Sequence, residues 1–248
     1  MKAGSRGALP RPGRVAVALA LSLGALGACV GAATAQEGSR PRAAAMVVPA
    51  TAPASPTAAA AASAPAFAER SLTPALLTRL RTGGLVLYLR HGLTDNRVAD
   101  RQPAVDLADC DTQRPLSPEG RQQFVRVGEA LRRLAIPVAE VLSSPMCRAL
   151  DSARAAFGDV VRIDRDLMAS SNQTAAQKRP ILARTRQLLS DPVAAGGHRV
   201  IVAHAPNLAD LIGYYPAEAT MAVFEPLGRG DFRYLASVPV GQWARLVP

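Results

Sequence analysis

Few residues in this chain can serve the commonest kinds of site. Its 248 residues include three cysteines, three histidines and one tryptophan, and aromatic residues make up 4% of the whole. That scarcity excludes a zinc module, for which no ligand spacing exists, and a stacking surface for single-stranded nucleic acid. No lysine-rich run occurs either, so the formal net charge of +10 has to be read by position. Lys2, Arg6, Arg11, Arg14, Arg40 and Arg42 less Glu37 contribute +5 before residue 69, which leaves +5 for the rest of the chain. A moderately basic, arginine-rich surface suits small anionic substrates, phosphate-bearing ones first among them. No nucleic-acid partner is expected.

Long apolar runs are equally scarce. VAVALALSLGALGA, at 15–28, is too short to cross a membrane comfortably. Preceded by Lys2, Arg6, Arg11 and Arg14, it reads as the core of an export signal. Two processing sites compete: a small-residue cut after Ala35, and Leu26-Gly27-Ala28-Cys29, which resembles the lipobox of bacterial lipoproteins and would place lipid on Cys29. Residues 1–35 are therefore expected to be a signal peptide. The mature chain is expected to be periplasmic and lipid-anchored to the outer membrane, or otherwise secreted. Residues 36–68 are mostly Ala, Pro, Ser and Thr and cannot bury enough surface to offset their ordering entropy. They predict a disordered tether before a domain at 69–248. In an exported chain, Cys110 and Cys147 form an even pair that can bridge; two unrelated thiols are the alternative.

Strand and helix signals alternate through that domain. Residues 71–80 predict a short helix capped by Ser71 and closed by Gly83-Gly84. LVLYL at 85–89 is a continuous apolar run of the kind found in buried parallel strands. Residues 96–114 have no period and hold Asp100, Asp106, Asp109 and Asp111, which predicts a polar excursion. Ser117-Pro118 opens a helix along which Phe124, Val127, Leu131 and Leu134 recur at helical spacing. A strand at 138–142 leads to a helix capped by Ser144-Pro145 and running to Phe157, and a short strand covers 160–163. Residues 175–189 predict a helix that Pro180 must start or kink. RVIVA at 199–203 is a strong strand with His198 in the loop before it, and a short helix ends at Ile212. MAVFEP and FRYLASV predict a hairpin. The alternation predicts an α/β three-layer sandwich, with a mostly parallel central sheet and helices on both faces.

Three strand ends carry polar cargo, and in a parallel sheet they share one edge. The first delivers Arg90-His91-Gly92-Leu93-Thr94, the second SSPMCRALDSA with Arg148, and the third VIVAHAPN with His204. These residues resemble the motifs of the histidine phosphatase superfamily: R-H-G-x-T, then S-S-P-x-x-R-A, then a late histidine after an apolar strand. PLSPEGRQQ adds to the likeness, which spans roughly 85–238. The resemblance implies a phosphoglycerate mutase-like fold and phosphoryl transfer through a phosphohistidine, with no metal and no cofactor. It assigns catalytic roles to His91 and His204 and phosphate binding to Arg90, Arg148 and Thr94. The chemistry is consistent on its own terms. A neutral imidazole can hold phosphorus covalently, and guanidinium forks match the phosphoryl oxygens. Gly92 would let backbone approach those oxygens, and Ser152, on the Arg148 face of its helix, would support packing.

The sequence also departs from the family. Arg97 stands where asparagine is usual, Ala169 where relatives carry an acid, and Ala205 where the acid-phosphatase branch has aspartate after the second histidine. Asp95 and Glu218 are the candidate general acids. The expected partner is a small phosphorylated substrate, an envelope phosphosugar being one possibility by address, with membrane contact only through lipid on Cys29.

Overall fold

The computed structural model describes residues 66–101 and 105–246. The expected signal peptide, Cys29 and nearly all of the tether lie outside the described residues. The first helix, α1 (Pro74–Leu80), is capped by Thr73, whose hydroxyl accepts the Leu76 N–H, so the cap sits two residues later than Ser71. There follow β1 (Val86–Arg90), α2 (Pro118–Arg133), β2 (Val138–Ser143), α3 (Cys147–Phe157), β3 (Val161–Ile163) and α4 (Ala175–Ser190). The chain then forms β4 (His198–Ala203), α5 (Ala205–Ile212), β5 (Met221–Gly228), β6 (Asp231–Val238) and α6 (Trp243–Leu246). Pro180 lies inside α4, whose start is set by a capping box between Thr174 and Gln177.

The six strands form one sheet in the order β3-β2-β4-β1-β5-β6. Pairing is parallel from β3 through β1, and β5 and β6 close the far side as an antiparallel hairpin. Strand alternation sends β1 side chains to two cores. Leu87 and Leu89 meet Phe124, Val127 and Leu131 of α2 and Ala149 and Ala153 of α3. Val86 and Tyr88 meet Leu188 and Leu189 of α4 and Leu208 of α5. The sheet therefore has helices on both faces, as a strand run that is apolar on both sides requires.

Register fixes where the strand ends fall. Arg90 pairs with Ala203, and Ser143 pairs with Val202. The residues that follow, His91, Ser144 and His204, therefore emerge along one edge. Leu89 pairs with Met221 of the antiparallel neighbour, which brings the 215–220 segment to the same edge from the opposite direction. At the other end of β4, His198 is the first strand residue and fully buried, which corrects the loop expected there. Two backbone bonds anchor that end: the His198 N–H donates to the Pro137 carbonyl, and the Gly84 N–H to the Gly197 carbonyl.

Candidate active site

Residues 93–101 and 105–117 run between β1 and α2 and are closed at their neck. Thr94 and Leu116 form an isolated antiparallel bridge, and the Asp95 N–H donates to the Pro115 carbonyl. Cys110 and Cys147 are joined in a disulfide, which ties this excursion to the first residue of α3, next to Arg148. Gln113 completes the seam, its side-chain oxygen accepting the Cys147 N–H at 2.9 Å. That bond serves a helix start for which Met146 offers no side-chain cap. Ser144, expected to cap this helix, lies too early to do so. Its hydroxyl accepts the Met146 N–H at 3.2 Å and stands 2.8 Å from His204 Nε2.

Between the excursion and the sheet edge lies a cleft of about 340 Å³, lined by residues that include Arg90, His91, Asp100, Arg114, Arg148 and His204. The His91 and His204 rings are 5.4 Å apart, edge to face. His91 is 2% exposed, and its Nδ1–H donates to the Gly92 carbonyl at 2.9 Å. That bond fixes the tautomer and leaves Nε2, which makes no hydrogen bond among the described residues, with its lone pair available. Burial, and then the Arg148 charge, hold the His91 imidazole well below its ordinary pKa, so the ring is neutral at pH 7. Burial and Arg148 do the same to His204. Tyr88 fixes the backbone of His204: its hydroxyl donates to the His204 carbonyl and accepts the His204 N–H.

The guanidinium groups are held but not satisfied. Arg90 donates to the Pro216 carbonyl at 2.8 Å, lies 5.2 Å from the centre of the Tyr215 ring, and stands 3.6 Å from Glu218. Arg148 is 3% exposed and grips Asp100 with both Nη atoms, at 2.9 and 3.2 Å. Among the described residues the Arg114 guanidinium reaches only the side-chain oxygen of Asn96, at 3.2 Å. Five buried side-chain polar atoms lack a hydrogen-bond partner among the described residues, and four belong to this cleft: Nε of Arg90, Arg114 and Arg148, and Nδ1 of His204. Natural proteins leave few such groups unmet, because each costs free energy when removed from water. Three arginines against Asp100, with both imidazoles neutral, give the lining a net charge of +2. The arrangement is built to receive a doubly charged, oxygen-rich anion.

The model of the histidine phosphatase superfamily (branch 1) matches residues 86–169. Over this stretch, about a third of the chain, the sequence is similar to that superfamily. The stretch contains Arg90, His91 and Arg148, while His204 lies beyond it. No curated protein matches the chain. Among solved structures, the protein histidine phosphatase SixA complexed with tungstate is 15% identical, covering 64% of this chain and 98% of its own, with a TM-score of 0.45. A phosphoserine phosphatase from Entamoeba histolytica in complex with phosphoserine is 16% identical, covering 63% and 97%, with a TM-score of 0.44. A mycobacterial glucosyl-3-phosphoglycerate phosphatase is 22% identical, covering 62% and 98%, with a TM-score of 0.39.

Other residues singled out in the sequence fall elsewhere. Thr94 does not line the cleft; its buried hydroxyl donates to Glu218 Oε1 at 2.7 Å. Glu218 thereby sits behind Arg90 and 3.9 Å from His91 Nδ1, on the side of the ring away from Nε2. Asp95 is turned to Arg97, whose guanidinium Nε and Nη2 and backbone N–H all donate to the carboxylate and hold its pKa at about 2. A carboxyl so low carries no proton at neutral pH. Gly92 is small for a different reason from the one expected: a Cβ there would lie 2.5 Å from the Gly120 carbonyl oxygen of α2. Ser152 joins the same seam, accepting the Gly92 N–H at 3.0 Å and donating to the Arg148 carbonyl at 2.7 Å. Ala169 does line the cleft, presenting a methyl group. Sequence reasoning missed Arg114 and the role of Asp100. Arg114 lies directly before the PLSPEG segment, and that adjacency was the one available signal.

Proposed function

We propose that the chain is a phosphatase that hydrolyses phosphate monoesters of small molecules through a phosphohistidine on His91. The observation that carries this reading is the concentration of unpartnered buried N–H groups around a neutral imidazole with one free nitrogen. The Nε2 lone pair of His91 attacks phosphorus while Arg90, Arg148 and His204 hold the non-bridging oxygens. Charge-assisted bonds from fixed donors strengthen as negative charge gathers on those oxygens, which lowers the barrier. Water then hydrolyses the phosphohistidine. Nothing in this sequence of steps calls on a metal ion.

The leader-like first 35 residues and the disulfide support a place in the cell envelope, with Cys29 as the point of lipid attachment. Envelope phosphosugars are the substrates such an address suggests. The deciding experiment is release of inorganic phosphate from p-nitrophenyl phosphate by the full chain in the presence of EDTA. Turnover lost by at least about 10³-fold in His91→Ala, together with acid-labile phosphate trapped on the unaltered chain, is expected. A second reading, a phosphate-ligand binding protein without turnover, is favoured by one observation: Arg148 already holds Asp100. Tight phosphate binding with no ester cleaved would establish that rival.

A further inference from the structure

A phosphatase of this kind has to do something about its leaving group. When the ester P–O bond breaks, an alcohol of ordinary acidity leaves as an unstable alkoxide unless a proton reaches it. Donation by a positioned group speeds that step by roughly 10²–10⁴-fold. Glu218 lies on the far side of the His91 ring, Asp95 faces Arg97, and Ala169 offers only a methyl. Neutral His91 spends its one N–H on the Gly92 carbonyl.

Among the residues lining the cleft, one is a carboxylic acid: Asp100. Its two oxygens meet the two Nη atoms of Arg148, and Oδ1 also accepts the Arg114 N–H at 2.8 Å. It is therefore held in the lining of the cleft by an excursion that the disulfide fastens beside Arg148. We infer that Asp100 is the proton donor to the leaving oxygen. This inference rests on the phosphatase reading of the same site.

The physical reason lies in the shared fork. In the empty cleft both oxygens of Asp100 are bonded to Arg148. A phosphoryl group that takes the same fork releases the carboxyl from it. The freed carboxyl takes up the proton that a phosphate monoester carries in as its monoanion. Substrate binding thereby loads the acid at the moment it is needed. The Nε2–P bond then forms as the P–O bond breaks, and the bond's electron pair stays on the ester oxygen. That oxygen takes the Asp100 proton and departs as an alcohol. In the second half, water attacks phosphorus and returns a proton to the Asp100 carboxylate. The P–N electron pair goes back to His91, and inorganic phosphate leaves.

The test uses the full chain and two esters, one with a good leaving group (p-nitrophenyl phosphate) and one with a poor one (glycerol 2-phosphate). Asp100→Asn keeps the shape of the side chain but has no acidic proton to give. Its loss of kcat/KM on the alkyl ester is expected to exceed its loss on the aryl ester by at least tenfold, with Asp100→Glu restoring part of the difference. Equal losses on both esters, with an unchanged melting temperature, would mean that Asp100 only positions Arg148, and would overturn the assignment. So would the same selective loss in Tyr215→Phe and not in Asp100→Asn. If the unaltered chain turns over neither ester, the phosphatase reading falls first and this assignment with it. Cleavage of both esters with no selective loss removes Asp100 alone.

Discussion

Two histidines stand at the two ends of β4, and they are buried alike. His198 opens the strand at 0% exposure and His204 follows it at 1%. What separates them is partnership. The Leu85 N–H donates to His198 Nδ1 at 3.1 Å, and Nε2 contacts the Leu80 carbonyl at 2.7 Å, so both nitrogens are spent on backbone. At His204, Nε2 meets Ser144 while Nδ1 has no hydrogen-bond partner among the described residues, and three arginines line the surrounding cleft. A buried histidine whose ring is satisfied is structure. A buried histidine left unsatisfied among cations is waiting for an anion. Burial alone distinguishes nothing here; the hydrogen-bond account decides.

The comparison makes its largest prediction by substitution at each end. His204→Ala should lower kcat/KM on an aryl phosphate by about 10²–10³-fold, the usual loss of a donor aimed at developing charge, with little change in melting temperature. His198→Ala should do the reverse. It leaves the Leu85 N–H and the Leu80 carbonyl buried without a partner, at about 1–3 kcal/mol for each such group, while the folded enzyme keeps its turnover. Steady-state kinetics and chemical denaturation on the two variants measure both. Similar effects at the two ends would break the contrast.

A second test separates the ends by their covers. The excursion that closes the cleft is pinned by a disulfide spanning 37 positions, for which the chain-entropy relation gives about 4 kcal/mol at most. Cys110→Ser combined with Cys147→Ser should lower denaturation stability by about 2–4 kcal/mol and weaken phosphate binding. Hydrogen exchange should speed up at the cleft, with the Leu85 amide beside His198 still protected. Exchange that speeds up equally at both ends would mean the clasp serves the whole domain.

Acid sharpens the contrast further. Burial, the largest cause, depresses the pKa of all three histidines, His91, His198 and His204. Below the unfolded value near 6.5 the unfolded chain binds protons that the folded chain refuses, so stability falls as pH drops and is flat, as far as these groups go, above it. Each histidine contributes a slope of about 1.4 kcal/mol per pH unit in that window. Saturating inorganic phosphate should flatten the contributions of His91 and His204 by favouring their charged forms, leaving that of His198. Stability that rises on acidification would contradict the neutral assignment. The smallest effect is reserved for Arg114→Gln, which should weaken inorganic phosphate binding by about tenfold, one charge-assisted hydrogen bond, as read by calorimetry.

Much of this site was legible before any coordinates, because the parallel sheet does the assembling. LVLYL, VAEVLS and RVIVA announce buried strands by composition, and the polar residues that end them must share an edge. Arg90, His91, Arg148 and His204 came together for that reason, and the Cys110–Cys147 pair followed from even numbers. The excursion was opaque because its placement depends on tertiary bonds without a period: Gln113 to the Cys147 N–H, Arg101 to Thr112, and the neck at Thr94 and Leu116. Hence Asp100 and Arg114 went unread, while Thr94 and Asp95, adjacent to the motif, were credited with more than their side chains do. His198 looked like a loop residue since Gly196-Gly197 precedes it. Its strand pairing with Val138 of β2, two strands earlier in the chain, overrode that local signal.

The contact between Gly92 and Gly120 has a consequence for how such a protein can diversify. On that flank the peptide groups touch with no side chain between them, so the backbone beside His91 tolerates no insertion and no bulkier residue. The opposite flank is a stapled loop whose interior can be rewritten while its stem and staple stay. Selection for a new ester preference should therefore recover changes in residues 96–114 and leave the glycine flank untouched, one jaw of the vice fixed and the other exchangeable.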